Sequence, residues 1–390
     1  MSQKKTKVLQ ILTGGKTFTG VSSYLYQYYK RMDRERIQFD FLFCRENSME
    51  IHMGEPVFKD SRFYPLNAVT RSNSLDYFRF MAGTRRILKE NEYDIVIVNT
   101  SVIMVVMACL LALPTQKRPV FIAHAHNSDT IFTQNSRRGR SRKLFQVIDS
   151  ICRYFVVRKA DYLFACSKRA GQATFGSFAD KSDKFRVINN AIDTAAFSFD
   201  RSDRQAVRNE WNVGRETIVF GNVGKLSYGK NQAFLMKVFY SVHEANPKSI
   251  LWLIGEGPER ETLETMIREL NLEDSVFLLG QRNDVHRLMQ GMDCFVFTSI
   301  SEGLGIVAVE AQAAGLPTVV SDGVPEEIMI TDRVVQLRLS DGPEEWAKCI
   351  LGLELPMDET ERSVSGVVAK AGYDIEAEAR KLTDLLTSFA

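Results

Sequence analysis

The sequence predicts an α/β protein built from two doubly wound parallel sheets. The chain has 390 residues, a length that usually folds into two domains. Short apolar runs, which suit strands buried on both faces, alternate with longer segments of helical periodicity. The alternation starts again at Ile218–Val223. Each half is therefore expected to form its own sheet covered by helices.

The composition narrows the class of protein and its partners. The 50 Lys and Arg residues nearly balance the 48 Asp and Glu residues, so the net charge does not favour a nucleic-acid partner. The six cysteines are scattered without a CxxC pair, which indicates reduced thiols. The basic N-terminus is followed by an apolar run that is too short for a signal peptide. We therefore expect a cytoplasmic protein.

Apolar runs and helical periodicity place the elements of the first half. The expected strands are Lys7–Leu12, Phe39–Phe43, Ile95–Val98, Val120–Ala123 and Tyr162–Cys166, and the expected helices are Val21–Met32, Leu75–Glu90, Val102–Leu113 and Leu144–Val157. The stretch 95–113 carries no charge and approaches the length of a membrane span. Asn99, Thr100 and Ser101 interrupt it with helix-capping residue types, which favours a strand and a helix over a span.

The second half repeats the pattern. Its expected strands are Ile218–Val223, Ile250–Ile254, Val276–Leu279, Cys294–Phe297 and Thr318–Ser321, and its helices begin at Gln232, Gly305, Pro343 and Tyr373. Residues 195–215 are polar and poorly periodic, as in a connection between domains.

Two glycine-rich loops raise nucleotide-binding alternatives. Gly15-Lys16-Thr17 has the ending of a P-loop, but that motif needs glycine at position 10, where Gln10 stands. Gly255-Glu256-Gly257 begins a dinucleotide fingerprint, but Arg260 replaces its third glycine. Both interpretations are weak.

The loop between strand 218–223 and the helix at Gln232 contains Lys225 and Lys230 beside glycines. Cations and backbone amides ahead of a helix suit an anionic ligand. Arg282 follows another strand, in the outlet loop 280–284.

The stretch 294–321 contains two carboxylates in a strand–helix–strand unit. Glu302 lies in the loop and Glu310 in the helix, separated by very roughly 10 Å of helical rise and loop. Two carboxylates so far apart are unlikely to share a metal ion, but they suit the two ends of an elongated ligand. Gly303 and Gly305 would let backbone approach that ligand closely, and the helix N-terminus between the carboxylates suits an anionic middle. A nucleotide sugar has this layout.

A histidine at the carboxyl edge of a strand lies where α/β sheets bind ligands. His124 and His126 end the strand that begins at Val120. A buried structural histidine is an equally good interpretation of either residue.

A basic segment precedes the helix at Leu144. Five of the seven residues from 137 to 143 are basic: Arg137, Arg138, Arg140, Arg142 and Lys143. Together with the apolar stretch up to Lys159, this segment suits anionic lipid or a polyprenyl-phosphate acceptor. A solvated face beside a core helix fits the pattern equally well.

The motif Glu-Gly-Leu-Gly, then Glu310 and Ala-x-Ala-x-Gly-Leu-Pro, resembles the E-x7-E signature of retaining GT-B glycosyltransferases of the GT4-like, group 1 family. The resemblance implies two Rossmann-like domains facing across a cleft. It places an acceptor-side domain at 1–195, a nucleotide-sugar domain at 196–372 and a C-terminal helix, 373–390, that crosses back to the first domain.

The same resemblance assigns roles to residues. It implies that Gly15, Lys225 and Lys230 face the donor diphosphate, that Arg282 borders the base and that Glu310 holds the ribose. Glu302 with Gly303, Leu304, Gly305 and Ile306 would bind the donor sugar. His126, with His124 as the alternative, would orient sugar and acceptor. Catalysis would then rest on His126, Glu302 and Lys230, without a metal ion or cofactor.

The expected activity is transfer of a sugar from a nucleoside diphosphate donor, expected to be UDP-linked, to a hydroxyl of a polysaccharide or lipid-linked precursor of capsule or exopolysaccharide. The alternatives are a GT-B epimerase or phosphorylase, which would release sugar with water or phosphate alone, and a non-catalytic partner subunit. A partner subunit would usually have lost the lysine and glutamate set that this chain keeps.

Overall fold

The computed structural model describes residues 4–13, 20–44, 54–66, 74–127, 140–177, 179–356 and 359–390. The chain divides into two compact units. The first contains Met1–Ala191 together with Ile375–Ala390, and the second is Ile192–Asp374.

A seven-stranded parallel sheet forms the centre of the first unit. Its strands are β1 (Thr6–Leu12), β2 (Ile37–Phe43), β3 (Phe63–Pro65), β4 (Ile95–Asn99), β5 (Val120–Ala125), β6 (Tyr162–Ala165) and β7 (Phe185–Val187). Their order across the sheet is β3-β2-β1-β4-β5-β6-β7. The order reverses between β1 and β4, which makes this a doubly wound sheet, as predicted.

Helices cover this sheet. They are α1 (Gly20–Arg31), α2 (Ser74–Glu90), α3 (Ile103–Ala112), α4 (Arg140–Lys159) and α5 (Lys168–Phe175). Tyr28, Tyr29 and Leu25 of α1 are buried in one cluster with Val8 and Phe41 of the strands. This aromatic-rich core explains why the short apolar runs of the sequence form strands.

The second unit repeats the architecture with six parallel strands. They are β8 (Ile218–Val223), β9 (Ser249–Ile254), β10 (Val276–Gly280), β11 (Cys294–Phe297), β12 (Thr318–Ser321) and β13 (Val334–Leu337). Their order is β10-β9-β8-β11-β12-β13, so the switch point lies between β8 and β11. Ligands of such sheets bind outside the carboxyl ends of the strands at this point.

The helices of the second unit follow in chain order. They are α6 (Thr194–Phe197), α7 (Arg201–Glu210), α8 (Gln232–Ala245), α9 (Arg260–Glu269), α10 (Val285–Gly291), α11 (Ile306–Ala313), α12 (Pro343–Leu351), α13 (Glu359–Arg362) and α14 (Ser365–Val368). Trp346 of α12 packs edge-on against Phe234 of α8 and is buried with the apolar residues of β8 and β9.

The interpretation of residues 195–215 as an irregular connection was wrong. The Asp200 side chain accepts a hydrogen bond from the Asp203 amide and caps α7. Arg204 and Arg208 of this helix then bind the two carboxylate oxygens of Asp293, at 2.5 and 3.1 Å. The helix is polar because its partners are a carboxylate and backbone carbonyls, so it lacks the apolar stripe that predicts a helix.

The uncharged stretch 95–113 forms a buried strand and a buried helix, as predicted. Strand β4 ends at Asn99, and α3 occupies Ile103–Ala112. Among the helices that the structure describes, none combines the length and the apolarity needed to cross a bilayer.

The last helix, α15 (Ile375–Thr387), belongs to the first unit. Its Leu382 and Leu386 are buried with the core residues of β1 and α1. Two ion pairs flank that contact, from Arg31 to Glu376 at 2.9 Å and from Arg36 to Asp384 at 2.6 Å. The chain therefore returns to complete a core that its first residues began.

Candidate active site

The loops that follow β8 and β11 bring Lys230 and Glu302 together at the switch point of the second sheet. The Lys230 Nζ atom lies 2.5 Å from Glu302 Oε1. Both side chains are partly buried, with 26% of Lys230 and 13% of Glu302 exposed. The sequence predicted both residues, but the direct ion pair between them is a finding of the structure.

The structure holds these two loops firmly. The Ile300 amide donates to the Gly229 carbonyl at 2.8 Å, and the Thr298 hydroxyl donates to the Asn231 carbonyl at 3.0 Å. The ring of Phe297 lies 4.9 Å from the Lys230 ammonium, a distance at which an aromatic face attracts a cation. Sequence reasoning missed Phe297 because its run reads only as a buried strand.

Backbone geometry positions the N-terminus of α11 beside Glu302. Gly305 is the N-cap residue and has a φ of 87°, in the left-handed region, which glycine adopts without strain. Gly303 and Leu304 are buried, and Ile306 opens the helix. The first amides of a helix lack acceptors within the helix and attract anions.

Glu310 lies farther along α11 and keeps partial solvent access. Burial nevertheless raises the pKa of its carboxyl to about 8. A side chain that is surrounded by protein yet still accessible lies at the bottom of a recess. Among the residues that the structure describes, Glu310 has no hydrogen-bonding or ionic partner. It therefore retains its capacity to bind a ligand's hydroxyl groups.

The remaining donor-site predictions fall in different environments. Lys225 is exposed. Arg282 is engaged by Asp284, with Nε–Oδ1 at 2.8 Å and Nη2–Oδ2 at 2.7 Å, and this arginine lowers the pKa of Asp284. Gly15 lies outside the described residues. None of these three roles is tested, and each stays a prediction.

The glycines of the loop 255–257 have a steric reason. A Cβ atom on Gly255 would lie 2.0 Å from the Gly224 carbonyl oxygen, and one on Gly257 would lie 2.1 Å from that of Leu226. The loops after β8 and β9 thus touch through backbone, and the Leu226 amide donates to Glu256 O at 3.1 Å. Glycines that resemble a dinucleotide fingerprint here serve loop packing.

In the first unit, both histidines lie at the carboxyl end of β5, with ring centroids 4.0 Å apart. Both are buried. Burial lowers the pKa of His126 to about 3. Burial and the neighbouring His126 ring hold the pKa of His124 well below its usual value. Both rings are therefore neutral at pH 7, and burial does not distinguish the two candidates.

A hydrogen-bond chain across three strands orients His126. The Asn99 amide nitrogen donates to Gln10 Oε1 at 2.8 Å, and Asn99 Oδ1 lies 3.1 Å from His126 Nε2. A carbonyl oxygen can only accept, so Nε2 carries the proton and Nδ1 is left as an acceptor. His126 Nδ1 and His124 Nε2 are buried and have no partner among the described residues.

Asn99, Thr100 and Ser101, predicted as helix-capping residues, have other roles. Helix α3 begins after Val102, whose side chain makes no cap. Asn99 supports His126, and the Thr100 hydroxyl receives hydrogen bonds from the Val102 amide and the Thr13 hydroxyl. A polar run at the end of an apolar strand was the signal for this network.

Two other predictions meet the structure only in part. In the described ranges, no group of three or more His, Cys, Asp or Glu side chains is arranged to hold a metal ion. Of the basic cluster, Arg137 and Arg138 lie outside the described residues, whereas 140–143 form the first turn of α4.

Two family models match the chain, one in each half. Residues 18–196 match Glycosyltransferase Family 4, and residues 203–353 match Glycosyl transferases group 1. The second match contains Lys225, Lys230, Glu302 and Glu310.

Curated relatives agree with these matches. The chain is 28% identical to the putative glycosyltransferase EpsF of Bacillus subtilis over 389 residues, covering 99% of this chain and 97% of EpsF. It is 30% identical over 142 residues to the UDP-Gal:α-D-GlcNAc-diphosphoundecaprenol α-1,3-galactosyltransferase of Escherichia coli, covering 36% of this chain and 37% of that enzyme.

Solved structures show the same fold. HepE of Anabaena in complex with UDP matches with a TM-score of 0.75 at 21% identity, covering 98% of this chain and 100% of HepE. WaaG, a glycosyltransferase involved in lipopolysaccharide biosynthesis, matches with a TM-score of 0.64 at 15% identity, covering 97% and 95% of the two chains. Matching models in both halves, a relative that spans the whole length and this shared architecture place the chain in the group 1 glycosyltransferases, with a GT-B fold.

Proposed function

We propose that this chain is a retaining glycosyltransferase that moves a sugar from a UDP-linked donor to a hydroxyl group of a polysaccharide or lipid-linked oligosaccharide precursor. The observation that carries the proposal is the Lys230–Glu302 pair at the switch point, beside the N-terminus of α11. It offers a cation for a diphosphate and a carboxylate for sugar hydroxyls. HepE, which shares the fold, was solved with UDP and with UDP-glucose, which supports the choice of donor.

Each residue of the second unit has one task in this scheme. Lys230 and Lys225 neutralise the charge that develops on the departing diphosphate, the main electrostatic need of the reaction. Glu302 and the amides of 303–306 hold the sugar hydroxyls. Glu310 accepts hydrogen bonds from the ribose hydroxyls. Lys230 has three N–H donors, so it can bind a phosphate oxygen while it still contacts Glu302.

The first unit supplies His126. Its neutral ring presents Nδ1 as an acceptor, which suits a hydroxyl of the sugar or of the acceptor substrate. The bond from the anomeric carbon to the phosphate oxygen breaks, and the bond to the acceptor oxygen forms on the same face. The acceptor's proton passes to the leaving phosphate oxygen. This route keeps the anomeric configuration and uses no metal ion.

The acceptor and the place of reaction follow from the relatives. The Escherichia coli relative acts on a diphosphoundecaprenol-linked sugar, and a Campylobacter jejuni relative, 30% identical over 166 residues, also carries diphospho-undecaprenol in its name. We assign this chain an acceptor of that chemical class and a place of action on the cytoplasmic side of the membrane.

The first test identifies the donor and the outcome. Calorimetry against UDP, GDP, ADP and TDP sugars should show binding of UDP sugars. Turnover with lipid-linked acceptors, followed by NMR of the product, should show an α linkage from an α-linked donor, unchanged by EDTA. Sugar release with water or phosphate alone would support the epimerase or phosphorylase alternative instead. Donor binding without any turnover would support a partner subunit.

The second test concerns the phosphate role of Lys230. Lys230→Ala should lower kcat by about 100-fold or more, the scale of losing one stabiliser of transition-state charge. Lys237→Ala, at an exposed lysine of α8, is the matched control and should leave kcat unchanged. Near-normal transfer by Lys230→Ala would remove the proposed role.

A further inference from the structure

The outer surface of α4 is apolar along one continuous stripe. Val147, Ile151, Tyr154 and Phe155 are each between 42% and 56% exposed. Their spacing of four, three and one residues places them on one side of the helix. With Gln146 and Ser150 they line a shallow surface groove.

This stripe is not the packing face of α4. The helix contacts α3 and α5, and Val156 is fully buried. A helix on a monomeric unit normally turns its polar side outward, and here large apolar side chains take that place. Leu111 of the neighbouring α3 is also exposed.

Cations surround the stripe. Helix α4 contains six basic residues, Arg140, Arg142, Lys143, Arg153, Arg158 and Lys159, and one acidic residue, Asp149. Asp149 is bound by Arg153 at 2.9 Å, which cancels the only negative charge of the helix. Arg158 and Lys159 are exposed, and neither pairs with a carboxylate in the part of the chain that the structure describes. The Arg158 guanidinium lies 4.5 Å from the ring of Tyr154.

We propose that α4 docks the chain on an anionic lipid surface, with the stripe in the interfacial layer and the cations against the headgroups. Amphipathic helices that lie in a bilayer surface combine an apolar face with flanking Lys and Arg. Tyrosine at the edge of such a face suits the headgroup level. This inference concerns attachment only and does not rest on the proposed reaction.

Charge excludes the obvious competing occupant. A second copy of the chain would bring two α4 helices together, each with six basic residues against one acid. Like charges at close range oppose such a contact. An anionic membrane instead attracts each cation by an amount equivalent to about fivefold in binding at low salt.

The experiment is sedimentation of the full chain with vesicles. Vesicles containing phosphatidylglycerol should bind the protein at 50 mM salt, whereas pure phosphatidylcholine vesicles should not. Binding should fall steeply by 500 mM salt, because screening weakens surface electrostatics. Equal binding to both vesicle types, or a protein that remains in the supernatant with both, would overturn the proposal.

Two variants separate the two parts of the surface, each with a matched control. Ile151→Gln with Phe155→Gln should lower vesicle binding about tenfold or more, since apolar burial drives insertion. The same changes at the exposed Leu351 and Val367 of the second unit should not alter it. Arg158→Gln with Lys159→Gln should lower binding about 25-fold at low salt, unlike Lys237→Gln with Lys370→Gln.

Two further measurements keep other outcomes distinguishable. All four variants should bind UDP and melt like the wild type, because no changed residue belongs to the donor site or the core. Analytical ultracentrifugation should show monomers. A dimer that dissociates in the Ile151/Phe155 variant, without vesicle binding by the wild type, would make this stripe a contact between copies and overturn lipid docking.

Discussion

At the scale of single residues, the two units treat their buried ionisable groups in opposite ways. Glu302 is paired with a cation at 2.5 Å, whereas Glu310 is enclosed without one and its pKa is raised to about 8. His126 is enclosed as a neutral ring. Desolvation favours the uncharged form of each unpaired group. Both Glu310 and His126 therefore have properties that a pH experiment can detect.

Glu310 should give UDP binding a distinctive pH dependence. Hydroxyl donors of a ribose favour the ionised carboxylate, but below about pH 8 the carboxyl is mainly protonated. Affinity should therefore rise as pH rises from 6 to 8, by up to about tenfold per unit. Glu310→Gln should show only the pH dependence of UDP itself. Calorimetry at several pH values measures this, and identical profiles for the two proteins would refute it.

His126 should make the first unit sensitive to acid. Its folded pKa of about 3 lies below the ordinary value of 6.5, so between these values the unfolded state binds more protons. Stability is then fully present above about pH 6.5 and is lost as pH falls toward 3. His126→Gln should lose about 2 kcal/mol less than the wild type between pH 7 and pH 5. Urea unfolding measures the difference.

The matched control is His286→Gln, at an exposed histidine of α10. It should change unfolding between pH 7 and pH 5 no more than the wild type does. If His126→Gln and the wild type lost the same free energy on acidification, the buried neutral ring would not be the cause.

At the scale of elements, the carboxyl-end loops of the second sheet pack through backbone. The loop after β8 touches the loop after β9 at Gly255 and Gly257, and the loop after β11 touches residues 321–324 at Gly323. These contacts fix where Lys230 and Glu302 begin. The strands themselves were predictable because apolar runs of four to six residues have few alternatives. The contacts between loops were not, since each joins residues far apart in sequence.

Gly257 and Gly229 offer one substitution in two environments. A Cβ atom on Gly257 would lie 2.1 Å from a backbone oxygen, whereas nothing lies within 4 Å of one on Gly229. Gly257→Ala should therefore lower the stability of the second unit by about 1–3 kcal/mol or more, the usual cost of overpacking. It should also weaken UDP binding. Gly229→Ala should do neither, and equal melting curves for both variants would contradict this packing.

The same distance in sequence explains what was missed elsewhere. Helix α7 is stabilised by Asp293, 85 residues away from Arg208, so its own segment reads as a loop. Asn99 reads as a helix cap until Gln10 and His126 are seen beside it. Glu302 and Lys230 were identified from local pattern and resemblance, but their pairing spans 72 residues. Local patterns predict elements, whereas distant contacts decide what the polar residues do.

At the scale of the whole molecule, the first unit is built from both ends of the chain. Leu386 of α15 is fully buried in its core. Leu386→Ala should cost about 2–5 kcal/mol in that unit. Leu351→Ala, at a leucine that is 46% exposed in the second unit, should change stability by about 0.5 kcal/mol or less.

Limited proteolysis with mass mapping checks where the effect appears. In Leu386→Ala, new cleavage sites should concentrate in residues 4–191, while 192–374 keeps its resistance. Uniform cleavage of both units would contradict the assignment of α15 to the first unit alone.

The position of α15 also orders events during synthesis. Residues 1–191 leave the ribosome first, yet their core lacks Leu382 and Leu386 until the last helix has emerged. The second unit is one uninterrupted segment, 192–374, so all of its strands are available before the first unit can close. The domain translated first is thus the one completed last. During that interval its unfinished apolar surface is the part of the nascent chain most in need of a chaperone.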